Sequence, residues 1–264
     1  MDPLTYLALR AKVYNKSGIS EVTPNMTVPE DMNPRLKILI PVVHGLAKIL
    51  GSDYEVNLHD VSMPEHSLIL CENGYVTGRH EGSPMTDFGL YMLQSEEYKH
   101  KDGIFNYLAK NNRGELIKCS CIFIRDENEK VIAFLCINYD LKKATIAREL
   151  IESLAHVETE IPQYHAKTEV KPAQPEKYPS PVRESFAQDI EDVMDDTLTQ
   201  VKRSVGKPLQ FLTKPEKKEV IRELRDRGFF LLKGAVETLA AEMGNTKFTI
   251  YAYIREIQKD SSTH

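Results

Sequence analysis

Apolar residues recur at intervals of three and four through Leu36, Leu39, Ile40, Val43, Leu46, Ala47 and Leu50, with Gly51 following as a stop, so this stretch predicts an amphipathic helix. Pro41 lies inside the run, and a proline there either kinks the helix or marks its true start. The period then falls to two. Tyr54–Val61 alternates apolar and polar residues as a strand does, and Ser67–Val76 reads as a strand pair broken at Asn73-Gly74, a hairpin-turn dipeptide. Gly78–Pro84 is a loop by composition, and Asp87–Gln94 a short helix at most. The clearest sheet signal is a hairpin, Leu116–Arg125 and Val131–Leu141, joined by five polar residues. Ile117, Cys119, Cys121 and Phe123 share one face of its first strand. The second is apolar almost throughout, which predicts a central strand covered on both sides. A helix from Lys142 to about Val157 closes this unit.

Residues 158–182 hold five of the chain's 14 prolines among Lys, Glu and Gln, the composition of an exposed linker. Beyond it Phe186, Ile190, Val193, Met194, Leu198, Val201 and Val205 form a stripe at helical spacing. A second helix opens at Thr213 with Thr-Lys-Pro-Glu, a capping box with proline in the first turn. Both helices should bury one stripe, either on their own domain or on a partner subunit. The expected organisation is an extension at 1–35 (Leu4, Leu7, Ala8 and Ala11 making a short helix), a sheet domain at 36–157, the linker, and an all-α domain at 183–260. The fold class is α+β.

The most specific segment is 233–257. Two helices that cross closely need a small residue at the contact, and Ala240 supplies it. A left-handed turn residue should stand four positions later, where Gly244 is, and an apolar plug six further on, where Ile250 is. Thr246 caps the second helix. These are the steric requirements of a helix-turn-helix. In a major groove the first turns of that helix would bring Thr246, Lys247, Phe248, Thr249, Tyr251 and Ala252 to the bases, with Arg255 near phosphate. Leu239, Met243, Ile250 and Ile254 should face the core. The other reading is a helical hairpin docked on something else, with Phe248 and Tyr251 inside.

Charge agrees with a small basic module on an acidic body. The chain has 264 residues with 34 Lys+Arg against 39 Asp+Glu, a net of −5. From Lys207 onward there are 11 basic and 8 acidic side chains (+3), leaving 23 against 31 (−8) before it. The apolar runs are far short of a membrane span of roughly 20 residues, and the first residues lack the pattern of a signal peptide. The four cysteines make no disulfide scaffold, so a cytoplasmic location is expected.

The helix-turn-helix, with Arg227–Ala235 before it, resembles that of the YheO/DauR-like bacterial transcriptional regulators. The sheet half is similar to the YheO-type PAS-like domain of that family. The pieces that carry the resemblance are Glu55–Asp60, Glu72–Arg79, Leu116–Ser120, Ile122–Asp126 and Leu135–Asp140. It covers roughly 36–157 and 183–258. It implies a PAS-like antiparallel sheet with flanking helices, and transcriptional control through a sensory domain.

Several polar side chains fall where a sheet should be apolar: Asn57, His59, Asp60, Cys136 and Asn138. The resemblance singles out His59, Asp60 and Asn138. A pocket needs a few convergent polar groups among apolar walls, and Asn57, His59, Cys136 and Asn138 are the candidate ligand-binding set. The alternative is that they satisfy backbone groups, the preferred reading for Asp60. Cys119, Cys121, Cys136 and Cys71 with His59 suggest a metal or redox site, yet their spacing matches no zinc knuckle and buried free thiols are common. His44 reads as a core or rim residue. No catalytic motif is present, so neither an enzyme nor a cofactor is expected. The implied function is an operator-binding regulator tuned by a small molecule, acting as a homodimer on duplex DNA, with the stripe at 186–205 and the sensor helices as candidate dimer surfaces. A small-molecule-binding adaptor acting through protein contacts is the alternative, and burial of Lys247 and Arg255 would favour it.

Overall fold

The computed structural model describes residues 32–156 and 184–261. The expected N-terminal helix and the proline-rich segment 158–182 fall outside the described residues. The chain enters through a 3-10 turn, Pro34–Leu39, and continues as α1, Ile40–Leu50. Pro41 stands in the first turn of α1, where its missing N–H leaves no bond unmade. The proline therefore marks the start of the α-helix.

Five strands follow: β1 (Tyr54–Asp60), β2 (Leu68–Glu72), β3 (Gly103–Lys110), β4 (Leu116–Arg125) and β5 (Val131–Asp140). They form one antiparallel sheet in the order β2-β1-β5-β4-β3. β5 is central, as its near-continuous apolar run requires. Only Leu68–Glu72 of the expected hairpin at 67–76 is strand. Asn73 turns left-handed and the Gly74 carbonyl accepts from the N–H groups of Gly78 and Arg79, so the chain curls into a loop in place of a hairpin return. β3 is an edge strand that the pattern does not announce. Its register slips between Ile104 and Tyr107, with Asn106 left-handed, and the bulge breaks the two-residue period.

Between β2 and β3 lies α2, Asp87–Gln94, capped by Thr86, whose Oγ1 accepts from Gly89 N at 3.0 Å. α3, Lys142–Leu154, stops short of Val157 and buries no residue; Ile146, Leu150, Ile151 and Leu154 are all exposed.

The helical region comprises α4 (Ile190–Val205), α5 (Lys214–Asp226), α6 (Ala235–Glu242) and α7 (Lys247–Ser261). The capping box at Thr213 and Glu216 is formed. Phe186 is not on α4 but ahead of it, packed with Val76, Ala109, Ile117 and Cys119 beneath the sheet. The α4 stripe, Val193, Met194, Leu198 and Val201, is buried within the chain, which corrects its reading as a dimer surface. One apolar core joins Met85, Leu90 and Phe134 to Val193, Leu198, Ile221, Leu224 and Phe229. Gly228 brings the backbones of the two halves close together. It is left-handed at φ +76°, and a Cβ there would stand 2.6 Å from the Leu90 carbonyl oxygen.

Candidate nucleic-acid interface and sheet cavity

The turn between α6 and α7 is built by Gly244, left-handed at φ +61°, with Asn245 N donating to Ala240 O at 2.9 Å. Leu239, Met243 and Ile250 are fully buried and Ala240 nearly so, while Ile254, expected in the core, is half-buried. A residue of α5 fixes this turn. The buried Lys217 ammonium donates to Met243 O at 3.0 Å and Asn245 Oδ1 at 2.6 Å, engaging a carbonyl at the end of α6 that lacks a helical partner. Across the turn Thr246 Oγ1 accepts from Thr249 N at 3.3 Å and pairs with the Thr249 hydroxyl at 3.1 Å.

Everything the core does not use faces outward. Thr246, Lys247, Phe248, Tyr251, Ala252 and Arg255 are exposed, Phe248 by 76 %, and Thr249 is half-buried. Lys247 has a loose surface pairing with Glu237 at 3.9 Å, worth little in water. Nearby, Lys214 and Lys218 converge on Glu256 at 3.3 and 2.6 Å.

The second feature is inside the sheet domain. In register across the sheet stand Glu55, Asn138 and Cys119, then Asn57, Cys136 and Cys121, then His59, Phe134 and Phe123. Alternate residues of a strand point the same way, so all nine share the face beneath which α2 and the start of the helical half are packed. Asn57, His59, Cys136 and Asn138, the candidate ligand set, line one cavity with Arg79, Thr86, Tyr107 and Glu184. Its void is about 20 Å³, room for about one water. A wider groove of about 1250 Å³ between α2, α4 and α5 is open surface.

Glu55 organises the polar face. Its Oε1 accepts from Asn57 Nδ2 at 2.6 Å and Asn138 Nδ2 at 2.9 Å, and its Oε2 from the Thr77 N–H at 3.0 Å and hydroxyl at 2.7 Å. Burial pushes its carboxyl up, and the bonds from Thr77 and Asn138 pull it back. His59 is bonded to Ser67 at 2.9 Å; burial first, then the Arg79 charge, hold its pKa well below the ordinary histidine value, so it is neutral. Asp60 is structural: it accepts from Asn33 N at 2.8 Å and from Ser62 N and Oγ at 2.9 and 2.6 Å. His44 sits at the rim of α1 on Glu72 at 2.5 Å. Cys121 and Cys136 face each other across β4 and β5, and burial raises the Cys121 thiol well above its usual range.

Glu55, Arg79, Tyr107, Glu184 and Lys217 escape the sequence reading. Arg79 lies at the end of the Glu72–Arg79 run that carries the resemblance. Glu184 follows a proline-rich stretch, and Lys217 sits in a densely charged helix, where spacing announces neither.

Residues 30–156 match the family model of the YheO-like PAS domain, and residues 193–255 match that of a helix-turn-helix domain. The Escherichia coli (strain K12) protein YheO is 29 % identical over 223 residues, covering 84 % of this chain and 85 % of that protein. The chain carries a YheO-like PAS domain followed by a helix-turn-helix domain. A Haemophilus influenzae protein is 26 % identical over 219 residues, covering 83 % of this chain and 89 % of its own. Among solved structures, the PAS domain of the fruit-fly ELK potassium channel is similar at 15 % identity and a TM-score of 0.26, covering 38 % of this chain and 96 % of that one. Both matched domains are regulatory, and a PAS-like domain joined to a helix-turn-helix is the make-up of a DNA-binding regulator. Among the described residues, no helix is long and apolar enough to cross a membrane.

Proposed function

We propose that this protein is a transcriptional regulator that lays α7 in the major groove of an operator and adjusts its hold through a small molecule bound in the sheet cavity. The observation that carries the reading is the outer face of α7. Its core residues are fully used, and Thr246, Lys247, Phe248, Tyr251, Ala252 and Arg255 remain exposed on one side. Short polar groups and methyls there suit base edges, while Arg255 suits phosphate. Thr249, tied to Thr246, positions the first turn. The exposure of Lys247 and Arg255 supports this reading over a protein-binding adaptor.

A lone helix-turn-helix reads one half-site, and useful affinity comes from two copies spaced about 10 base pairs apart. α3 supplies a surface for the second copy, since Ile146, Leu150, Ile151 and Leu154 make a bare apolar stripe. The protein then acts in the cytoplasm, where its DNA is. Selection of random duplex DNA by the full-length protein tests the proposal. An enriched inverted repeat is expected, bound more weakly by Lys247→Ala and Arg255→Ala. Loss of a phosphate contact should flatten the log–log salt slope by about 0.9 for Arg255→Ala. No enrichment at any salt concentration would refute it.

A further inference from the structure

Among the described residues, the cavity holds a cation with no ion-pair partner. Arg79 is 5 % exposed, and its Nε has no hydrogen-bond partner among them. One Nη donates to the Pro84 carbonyl, and among the described residues no carboxylate oxygen lies within 4 Å of the guanidinium. Glu55 and Glu184 act on it only from farther away. Asn57 Oδ1 also has no partner among the described residues, and its orientation is fixed because its Nδ2 donates to a carboxylate. Buried groups of this kind are costly unless something pairs with them.

A carboxylate already occupies part of this cavity. Glu184, arriving from the start of the helical half, accepts from the Thr86 hydroxyl at 2.9 Å and the Tyr107 hydroxyl at 3.0 Å. Its neighbours anchor the same segment: Ser185 N donates to Asp87 Oδ1 at 2.7 Å, and the Phe186 carbonyl accepts from Asn112 at 2.7 Å. Glu184 and Phe186 line the void, so nothing larger than a water enters while they stay.

We infer that residues 184–186 are an internal plug, and that the effector is a small carboxylate which displaces Glu184, reaches the Arg79 Nε, and offers an N–H or O–H to Asn57 Oδ1. Thr86 and Tyr107 would bond the incoming carboxylate as they now bond Glu184. Burial lifts Glu184 to about 7, so at neutral pH it is only partly ionised and compensates Arg79 incompletely. α4 begins four residues beyond Phe186, and withdrawal of the plug therefore moves the helix on which the DNA-binding half is packed. The inference rests on the cavity being the sensory site.

Propionate, the side chain of Glu184 as a free acid, is the probe. Full-length Glu184→Ala should be stabilised saturably by propionate in thermal melts at constant ionic strength. It should bind about tenfold or more tightly than wild type, because a tethered carboxylate competes at millimolar effective concentration or above. Propionamide should not act, and Arg79→Gln in the same background should abolish the response. No saturable shift, an equal response to propionamide, or a response that survives Arg79→Gln would overturn the inference. Should Glu184→Ala fail to fold, amide exchange in wild type decides: propionate and not propionamide must speed exchange at residues 185–188. Propionate that binds without changing operator affinity would leave the site standing and remove the sensory reading.

Discussion

Replacing Lys217 by methionine separates the ammonium from the rest of the side chain. The methionine keeps most of the apolar stem that lies between α5 and the turn, and it removes two charge-assisted bonds, to Met243 O at 3.0 Å and Asn245 Oδ1 at 2.6 Å. Each such bond contributes about 1.5–3 kcal/mol, and the stranded carbonyl adds a penalty of similar size. Against this stands the relief of no longer burying an ammonium, several kcal/mol in the other direction. The net loss expected is about 2 kcal/mol, or about 4–8 °C in Tm for a chain of this size. Circular dichroism melts give the global number. Amide exchange gives the local one, because Gly244 N and Asn245 N are bonded back to α6 across the same turn and should exchange faster in the variant. Operator affinity should fall with them, since α7 is aimed by that turn. A variant as stable as the parent, with unchanged exchange at residues 244 and 245, would refute the assignment of Lys217 as the strut.

Glu55→Gln exchanges two acceptor oxygens for one and turns an NH2 toward two donors, so urea unfolding should show a loss of about 2–4 kcal/mol, with Asn57 and Asn138 losing order in NMR spectra. Gly228→Ala adds a left-handed alanine and a methyl 2.6 Å from the Leu90 carbonyl; a loss above about 2 kcal/mol is expected in the same assay, and a neutral result would show that the two halves can slide apart there. The plug should be pH-dependent. Burial, assisted by the Asp87 charge and opposed by the bonds from Thr86 and Tyr107 and by Arg79, raises the folded pKa of Glu184 to about 7 from 4.5, so its contribution to docking is full below about pH 4.5 and fades as pH rises through 7. Exchange at 185–188, corrected for intrinsic rates, should therefore quicken between pH 5 and 8, and Glu184→Gln should remove that dependence.

The sheet and the helix-turn-helix were legible for different reasons. β4 and β5 follow from period and apolarity alone, and the central place of β5 follows from its lack of a polar face. Ala240, Gly244 and Ile250 were legible because each answers a separate steric demand. β3 was not, because a bulge at Asn106 scrambles its alternation. Asn57, His59, Cys136 and Asn138 were visible as polar residues out of place in strands, and they line a single cavity. Their partners were hidden for a plainer reason: Arg79 arrives by a loop and Glu184 from 98 residues beyond Thr86, and local spacing carries no information about such meetings. The stripe on α4 was correctly seen as buried; its partner turned out to be the chain itself.

The core shared by Leu90, Phe134, Leu198 and Phe229 also decides how this protein can be taken apart. A sheet domain grafted onto a foreign helix-turn-helix at residue 157 would leave α2 facing an unfamiliar surface, with Leu90 and Met92 stranded. A cut anywhere in 157–183 severs the covalent chain but not that core, so the two fragments should co-migrate on size exclusion and still bind DNA together. The unit of inheritance is the pair, and a working chimera must carry α2 along with the helices it supports.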